Sequence, residues 1–429
     1  MAQSASTVFW QPGDKGAHLD RADVLEEGTI YRPEFFEHVQ ATLKSLDQDL
    51  IGLSKDIHGK HYHPELKFEE RHAHDTLTTF VEKHGFHVTR HHWLETAWLA
   101  KFTKGTGGRT LVKSAIEHFD ISGTVVLLGT PAEEGGAGKV ILLERGAYDG
   151  MDACLMCHPA PGPRWSTSLS SCLALQRLIV EFSGHNAHAA LSPWEGQNAL
   201  DAAVLALYQH FGSQAATEAK PPCPWHLRGQ RLGTKQIVQQ VIDCYMLTLP
   251  TVIPDYSKMI WDVRVPTRAE VESAVLRVTA CYEAAGVATG CKVKLEKTRV
   301  ISDLRQNKAL SDECADIFSK KFGPVDYEYG IKNASTDFGN ITYALPSFHP
   351  SFAIPTRGSN HTPEFAEAAA TEEAHKACIN MSITLAAIGL RLLTDDASAN
   401  KASRYIPRSQ VKKTFEEDKV LREAEAAQA

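Results

Sequence analysis

The chain has 429 residues, of which 43% are hydrophobic and 23% charged, with a formal net charge of -7. This is the composition of an ordinary globular protein with ample apolar material for a core, and the length favours two domains over one. The acidic balance excludes an extended basic nucleic-acid surface, and no uninterrupted apolar run of bilayer length is read from the sequence.

Met1 to Asp20 is polar and lacks the basic-then-apolar order of a signal peptide, and the C-terminus carries no prenylation cysteine. A cytoplasmic location is therefore expected. The 9 cysteines fall mostly in apolar stretches, around Cys172, Cys244 and Cys378, and are expected to be reduced and buried.

Residues up to about Arg32 read as a mobile arm. Phe36, Val39, Leu43, Leu46 and Leu50 recur at helical spacing, and a second helix is expected from Glu69 to His84. Strand-like runs follow at Phe86 to Arg90 and Thr96 to Phe102, then a glycine-rich turn, Thr103 to Arg109. Leu111-Val112 reads as the start of a strand, yet Lys113 to Phe119 has the pattern of a helix end, so a partial strand runs into a partial helix.

Thr124 to Gly129 reads as a buried strand, Lys139 to Arg145 as a helix and Ala153 to Cys157 as a second buried strand, a strand–helix–strand unit that predicts a parallel sheet. The pattern then changes. Strands at Leu173 to Phe182, Gln236 to Leu247, Lys258 to Val265 and Lys292 to Thr298 alternate with helices at Asn198 to Phe211 and Arg268 to Ala285. This βαββαβ order is that of a small α+β domain. The expected fold class is thus α/β, a mostly parallel-sheet catalytic domain (1–172 and 300–395) with an inserted α+β lid (173–299) and a flexible tail (396–429). A long final helix carries Cys378, Met381, Leu385, Ile388 and Leu392 on one face.

The strongest chemical signal is Pro131-Ala132-Glu133-Glu134-Gly135-Gly136, just past the carboxyl end of a strand, where open α/β sheets place ligands. Adjacent carboxylates point in different directions, so one can bind a metal while the other acts as a base. Taken alone, the pair reads first as a solvated Glu-Glu turn. His158 ends the next strand and suits a metal ligand, and His361 lies in a loop before the final helix; each taken alone is also an ordinary loop histidine. Cys154-Leu155-Met156-Cys157-His158 has the spacing of a haem-attachment motif, but it lies in a strand-like run of a chain without an export signal, so core cysteines are the reading. Gly135 to Lys139 is no P-loop.

Together these pieces resemble the metal-dependent aminoacylase, hippurate-hydrolase and carboxypeptidase-G-type metallopeptidase family, in its amidohydrolase–dipeptidase branch. The matching pieces are His63-Pro64-Glu65-Leu66 with Phe68-Glu69-Glu70, Gly129-Thr130-Pro131-Ala132-Glu133-Glu134-Gly135-Gly136, Cys157-His158-Pro159, Ser183-Gly184 to Ala187-His188-Ala189-Ala190, Val252-Ile253-Pro254-Asp255, Ser335-Thr336-Asp337 and His361-Thr362-Pro363. The resemblance implies hydrolysis of the amide of an N-acyl amino acid or small peptide by metal-activated water. By motif, Glu133 corresponds to the general base, Glu134, His158 and His361 to metal ligands, and His188 to the histidine that polarises the scissile carbonyl. One or two divalent ions are implied, zinc foremost, with manganese or cobalt as alternatives, and a homodimer formed through the lid. Arg264 on a lid strand is a candidate for a substrate carboxylate, or a structural arginine. No nucleic-acid or membrane partner is expected.

The sequence departs from the family at one place. The branch carries a Cys-Gly-His motif between the early strands and the Glu-Glu turn. No cysteine lies between Phe102 and Thr124, and the only histidine there is His118. A segment is missing near Leu111 to Lys113, where partial strand meets partial helix. Pro250-Thr251 also stands where relatives often carry an asparagine. The competing expectation is a degenerate relative that binds a small ligand or pairs with an active subunit.

Overall fold

The computed structural model describes residues 30–59, 64–104, 111–215, 239–243, 251–327, 329–330 and 334–403. The expected arm before residue 30, the turn at 105–110, His63, Cys244, Pro250 and the chain beyond 403 lie outside these residues. The chain forms two compact units, Met1–Cys172 with Leu304–Ala429, and Leu173–Asp303.

The first unit opens with α1 (Pro33–His58), which buries Phe35, Phe36, Val39 and Leu43. Its first-turn proline suits the helix start, where no amide partner is needed. After α2 (Arg71–Lys83), β1 (His87–Arg90) and β2 (Trp98–Thr103) form an antiparallel pair, with Trp98, Ala100 and Phe102 buried at alternate positions. Next comes α3 (Leu111–His118), which corrects the partial strand expected at Leu111-Val112. The reason is visible in Lys113. Its ammonium donates to the carbonyls of His84 and Gly85 at 3.2 and 3.1 Å, at the carboxyl end of α2, and lies 4.6 Å from the centre of the Phe102 ring. A cation there satisfies carbonyls that a helix end leaves without partners. Together with buried Ala115 and Ile116, it commits this segment to a helix.

The chain continues through β3 (Thr124–Gly129), the single-turn α4 (Glu133–Gly136) and α5 (Gly138–Glu144). It then forms β4 (Cys154–Leu155), β5 (His158–Pro161) and β6 (Thr167–Ser168). The second unit follows as β7 (Ala174–Ser183), α6 (Ala199–Ala215), β8 (Gln239–Asp243), β9 (Tyr256–Val265), α7 (Arg268–Thr289) and β10 (Lys292–Lys297). Its sheet is antiparallel in the order β10-β7-β9-β8, the α+β insertion that the alternating patterns predict. Leu178, Val180 and Phe182 of β7 face Met259, Trp261 and Val263 of β9 and the helices in one core. A capping box closes the start of α7, between Thr267 and Glu270.

The first unit resumes with α8 (Lys308–Lys321), β11 (Val325–Asp326), α9 (Phe338–Ala344), β12 (Ser347–Phe348), β13 (Ser351–Ile354), α10 (Pro363–Ala369), α11 (Glu372–Thr394) and α12 (Asp396–Ser403). The α12 helix corrects the flexible tail over 396–403. Ala402 is buried, and its carbonyl accepts the side-chain amide of Asn307 at 3.0 Å. By length and apolarity α11 could cross a membrane, which the sequence pattern did not lead us to expect. Here Ala377, Met381, Ile383 and Ile388 are buried, and the helix packs on α1, α8 and β13.

The first unit is of the α/β class, and one detail differs from expectation. The strands that flank α5 do not share a sheet: β3 pairs antiparallel with β2, whereas β4 pairs in parallel with β12. Both strands are half-buried rather than buried. Among the described residues only one edge of β3 has a strand partner. An apolar strand left half-buried at a sheet edge is what loss of a neighbouring strand would produce.

Lys113→Ala is expected to destabilise the first unit by about 2–4 kcal/mol, through lost packing and two lost charge-assisted bonds. Lys113→Met, which restores the stem but not the bonds, should lose less. Urea unfolding of the three proteins measures this; equal stability of all three would refute it.

Candidate active site

The Glu133–Glu134 turn is an irregular piece of chain. Ala132 and Ala137, at its two ends, have φ of 58° and 55°, and Gly135 has φ of 83°. Left-handed backbone at alanine is unfavourable and persists only where surroundings impose it. Gly138 is required for a different reason: a Cβ there would lie 1.8 Å from the carbonyl oxygen of Pro131. Glu133 is half-buried and Glu134 exposed.

Glu134 Oε1 lies 3.5 Å from Nε2 of His361, so the structure brings together two of the three expected ligands. His158 sits on β5, whose parallel partner β13 leads into the His361 loop. Its Nδ1–H donates to the carbonyl of Pro159 at 2.7 Å. A carbonyl only accepts, so the proton is on Nδ1 and the Nε2 lone pair is left for an electrophile, as metal-binding histidines require. The same carbonyl accepts the side-chain amide of Asn360 at 3.1 Å, which ties the His361 loop to His158. Carboxylate and imidazole donors suit a zinc-type ion in their chemistry. Among the described residues, however, no three histidine, cysteine or acidic side chains converge as a ready-made metal cluster.

Behind the turn lies a buried ion pair that the sequence did not announce. Lys139 Nζ lies 2.8 Å from Asp337 Oδ1, and Asp337 Oδ2 accepts the backbone N–H of Lys139 at 2.9 Å. Both side chains are almost wholly buried. Burial raises the Asp337 carboxyl above its ordinary range, Lys139 opposes the rise, and the nearby Glu133 charge adds to it. His349 is fully buried, with neither ring nitrogen hydrogen-bonded among the described residues. Its ring centre is 6.1 Å from that of His158 and 5.3 Å from that of Phe338. Burial brings its pKa down to about 3, with the neighbouring His158 acting in the same direction, so it is neutral. The only hint in the sequence is a histidine inside a short run of strands, Ser347 to Ile354.

His188 belongs to the second unit and is exposed. The N–H groups of Ala190 and Leu191 both donate to its Nδ1 at 3.2 Å. That fixes the tautomer with the proton on Nε2, a free donor for an oxygen. Arg264 lies on β9 with its guanidinium 3.6 Å from Asp262, whose carboxylate is held bidentately by Arg177 at 2.6 and 2.9 Å. Cys154 and Cys157 are half-buried residues whose thiol ends are enclosed. Burial pushes Cys154 up to about 12 and Cys157 further.

No protein-family model matches the chain. Curated relatives do. The chain is 30% identical over 378 aligned positions to the Xaa-Arg dipeptidase of Mus musculus, covering 77% of this chain and 83% of that protein. It is 23% identical to one of the subunits of the p-aminobenzoyl-glutamate hydrolase of Escherichia coli K12, covering 78% of this chain and 87% of that protein. Among solved structures it superposes on a Bacillus subtilis protein described as a dinuclear metal binding peptidase from the M20 family, with a TM-score of 0.57 at 16% identity, covering 81% of this chain and 99% of that one. The chain belongs to the family of the Xaa-Arg dipeptidases, the metal-dependent aminoacylase, hippurate-hydrolase and carboxypeptidase-G-type metallopeptidases that its motifs resemble.

The thiolate is the reactive form of cysteine, so enclosed thiols with raised pKa are inert. Iodoacetamide at pH 8 is expected to label half-buried Cys281, whose thiol makes an exposed hydrogen bond to the carbonyl of Arg277, well before Cys154, Cys157 and Cys314. A raised thiol pKa also means stability that is intact below about 9, the unfolded value, and is lost as pH rises from there towards 12. Peptide mass mapping reads the labelling order; equal labelling of all four would contradict it.

Proposed function

We propose that this protein is a metal-dependent hydrolase that cleaves the amide bond of an N-acyl amino acid or small peptide. Its family membership supports the reaction class, and the 3.5 Å approach of Glu134 to His361 beside Glu133 is the observation that carries the site. The name of the mouse relative makes dipeptides ending in arginine the first substrates to test.

In this reading Glu134 and His361, with the Nε2 lone pair of His158, would hold a divalent ion, zinc or else manganese or cobalt. When bound, the ion supplies Lewis acidity towards the carbonyl and towards water. Glu133 accepts the proton of the attacking water and returns it to the departing amine. His188 offers Nε2–H to a developing oxyanion, in keeping with its tautomer. Arg264 is a weaker candidate for the substrate carboxylate, because Asp262 already faces it.

We further propose a cytosolic homodimer that associates through the second unit. Support lies in its exposed apolar side chains, Val204 and Tyr208 at adjacent turns of α6 and Leu276 and Val287 on α7. The alternative of a non-catalytic relative gains no support from relatives named as hydrolases and peptidases.

Elemental analysis should find at least one divalent ion per chain, and a chelator should abolish turnover. Glu133→Gln is expected to lower kcat about 10²–10⁴-fold while metal content and thermal unfolding stay unchanged. Less than one ion per chain, or full activity of Glu133→Gln, would overturn the assignment.

A further inference from the structure

The strained turn that presents Glu133 and Glu134 is held at both ends by carboxylates that come from elsewhere in the chain. At its start, the N–H of Ala132 donates to Glu70 Oε1 at 2.7 Å, and the hydroxyl of Thr96 donates to Glu70 Oε2 at 3.0 Å. At its far end, the N–H of Lys139 donates to Asp337 Oδ2. Between the two, Lys67 Nζ reaches the carbonyl of Gly135 at 3.4 Å, and the Phe68 ring lies against Gly136. The supporting segment is itself anchored, because the carboxylate of Glu65 accepts the N–H groups of His72 and Ala73 at the start of α2, at 2.6 and 3.0 Å.

We infer that the segment Glu65–Glu70 is a cradle for the catalytic turn, and that Glu70 and Asp337 are positioning residues for the hydrolytic reaction proposed above. Ala132 and Ala137 both sit in a backbone conformation that alanine disfavours; the amide of Ala132 itself is bonded to Glu70, and the amide bonded to Asp337, that of Lys139, lies two residues beyond Ala137. Charge-assisted bonds to backbone N–H groups are among the stronger hydrogen bonds a protein makes. Two of them, one at each end, offset the strain and leave the side chains of Glu133 and Glu134 a single presented geometry. Asp337 acts through Lys139 as well, since the same carboxylate neutralises the buried ammonium at 2.8 Å. Removing either anchor lets the turn relax towards right-handed backbone, which moves both carboxylates together.

Hydrogen exchange of the full-length protein, read by mass spectrometry over residues 131–139, tests this without reference to activity. In Glu70→Ala the segment is expected to exchange about tenfold faster, with the rest of the protein unaltered. In Glu70→Gln, whose amide oxygen can accept the Ala132 bond, it should stay close to wild type. Thr96→Val removes only the bond that aims Glu70, and should accelerate exchange less but in the same region; it also serves if Glu70→Ala does not fold. On the kinetic side, Glu70→Ala should lower kcat about 100-fold with KM changed less than about threefold, and Glu70→Gln should recover most of that loss. Unchanged exchange in both Glu70→Ala and Thr96→Val, or equal exchange in Glu70→Ala and Glu70→Gln, overturns the inference. A wild-type protein that hydrolyses nothing would refute the proposed function alone, since the exchange result stands by itself.

Discussion

The buried pair between Lys139 and Asp337 is the contact on which the site depends most directly. It joins chain that precedes the second unit to chain that follows it, across 198 positions of sequence. Two charges removed from water are costly unless each finds a close partner and its remaining hydrogen-bonding capacity is used. Asp337 meets that condition by accepting both the ammonium and the backbone N–H of the same lysine. The parallel pairings of β4 with β12 and β5 with β13 make the same long-range connection through backbone bonds. The Glu-Glu turn, His158 and the His361 loop are therefore placed by one structural seam.

Two histidines illustrate how local hydrogen bonds decide chemistry. The carbonyl of Pro159 accepts a hydrogen bond from Nδ1–H of His158, and the N–H groups of Ala190 and Leu191 donate to the Nδ1 lone pair of His188. The first ring is left with a lone pair and the second with a proton, which suit an electrophile and an oxyanion respectively. His349 stands apart from both. It is neutral and enclosed beside His158, its ring nitrogens meet no hydrogen-bond partner among the described residues, and it has no part in the proposed reaction.

The junction after residue 110 shows how packing overrides local pattern. The expected half-strand is absorbed into α3, because Lys113 finds the carbonyl end of α2 and Ala115 and Ile116 find the core. The sheet differs more from the expected pattern. β3 and β4 belong to different sheets, and Val125 to Gly129 stays half-buried. At the site itself, among the described residues, Glu134 and His361 meet without a third donor converging on them.

The hydrophobic periodicities of the chain determined most of its elements, since each depends on neighbours within a few residues. The βαββαβ order of the second unit, the amphipathic α1 and the long α11 could all be read that way, as could the residue types of the Glu133–Glu134 turn, His158 and His361. The resemblance of the quoted motifs supplied roles that spacing alone left open. What only the tertiary structure decided were the contacts between residues far apart in sequence: the Lys139–Asp337 pair, the bond from Ala132 to Glu70, the enclosure of His349 and the separation of β3 from β4. Sequence pattern records which residues share a face of one element. Which carboxylate meets which amide across 62 or 198 positions depends on how the elements pack, and that leaves no periodic trace in the chain.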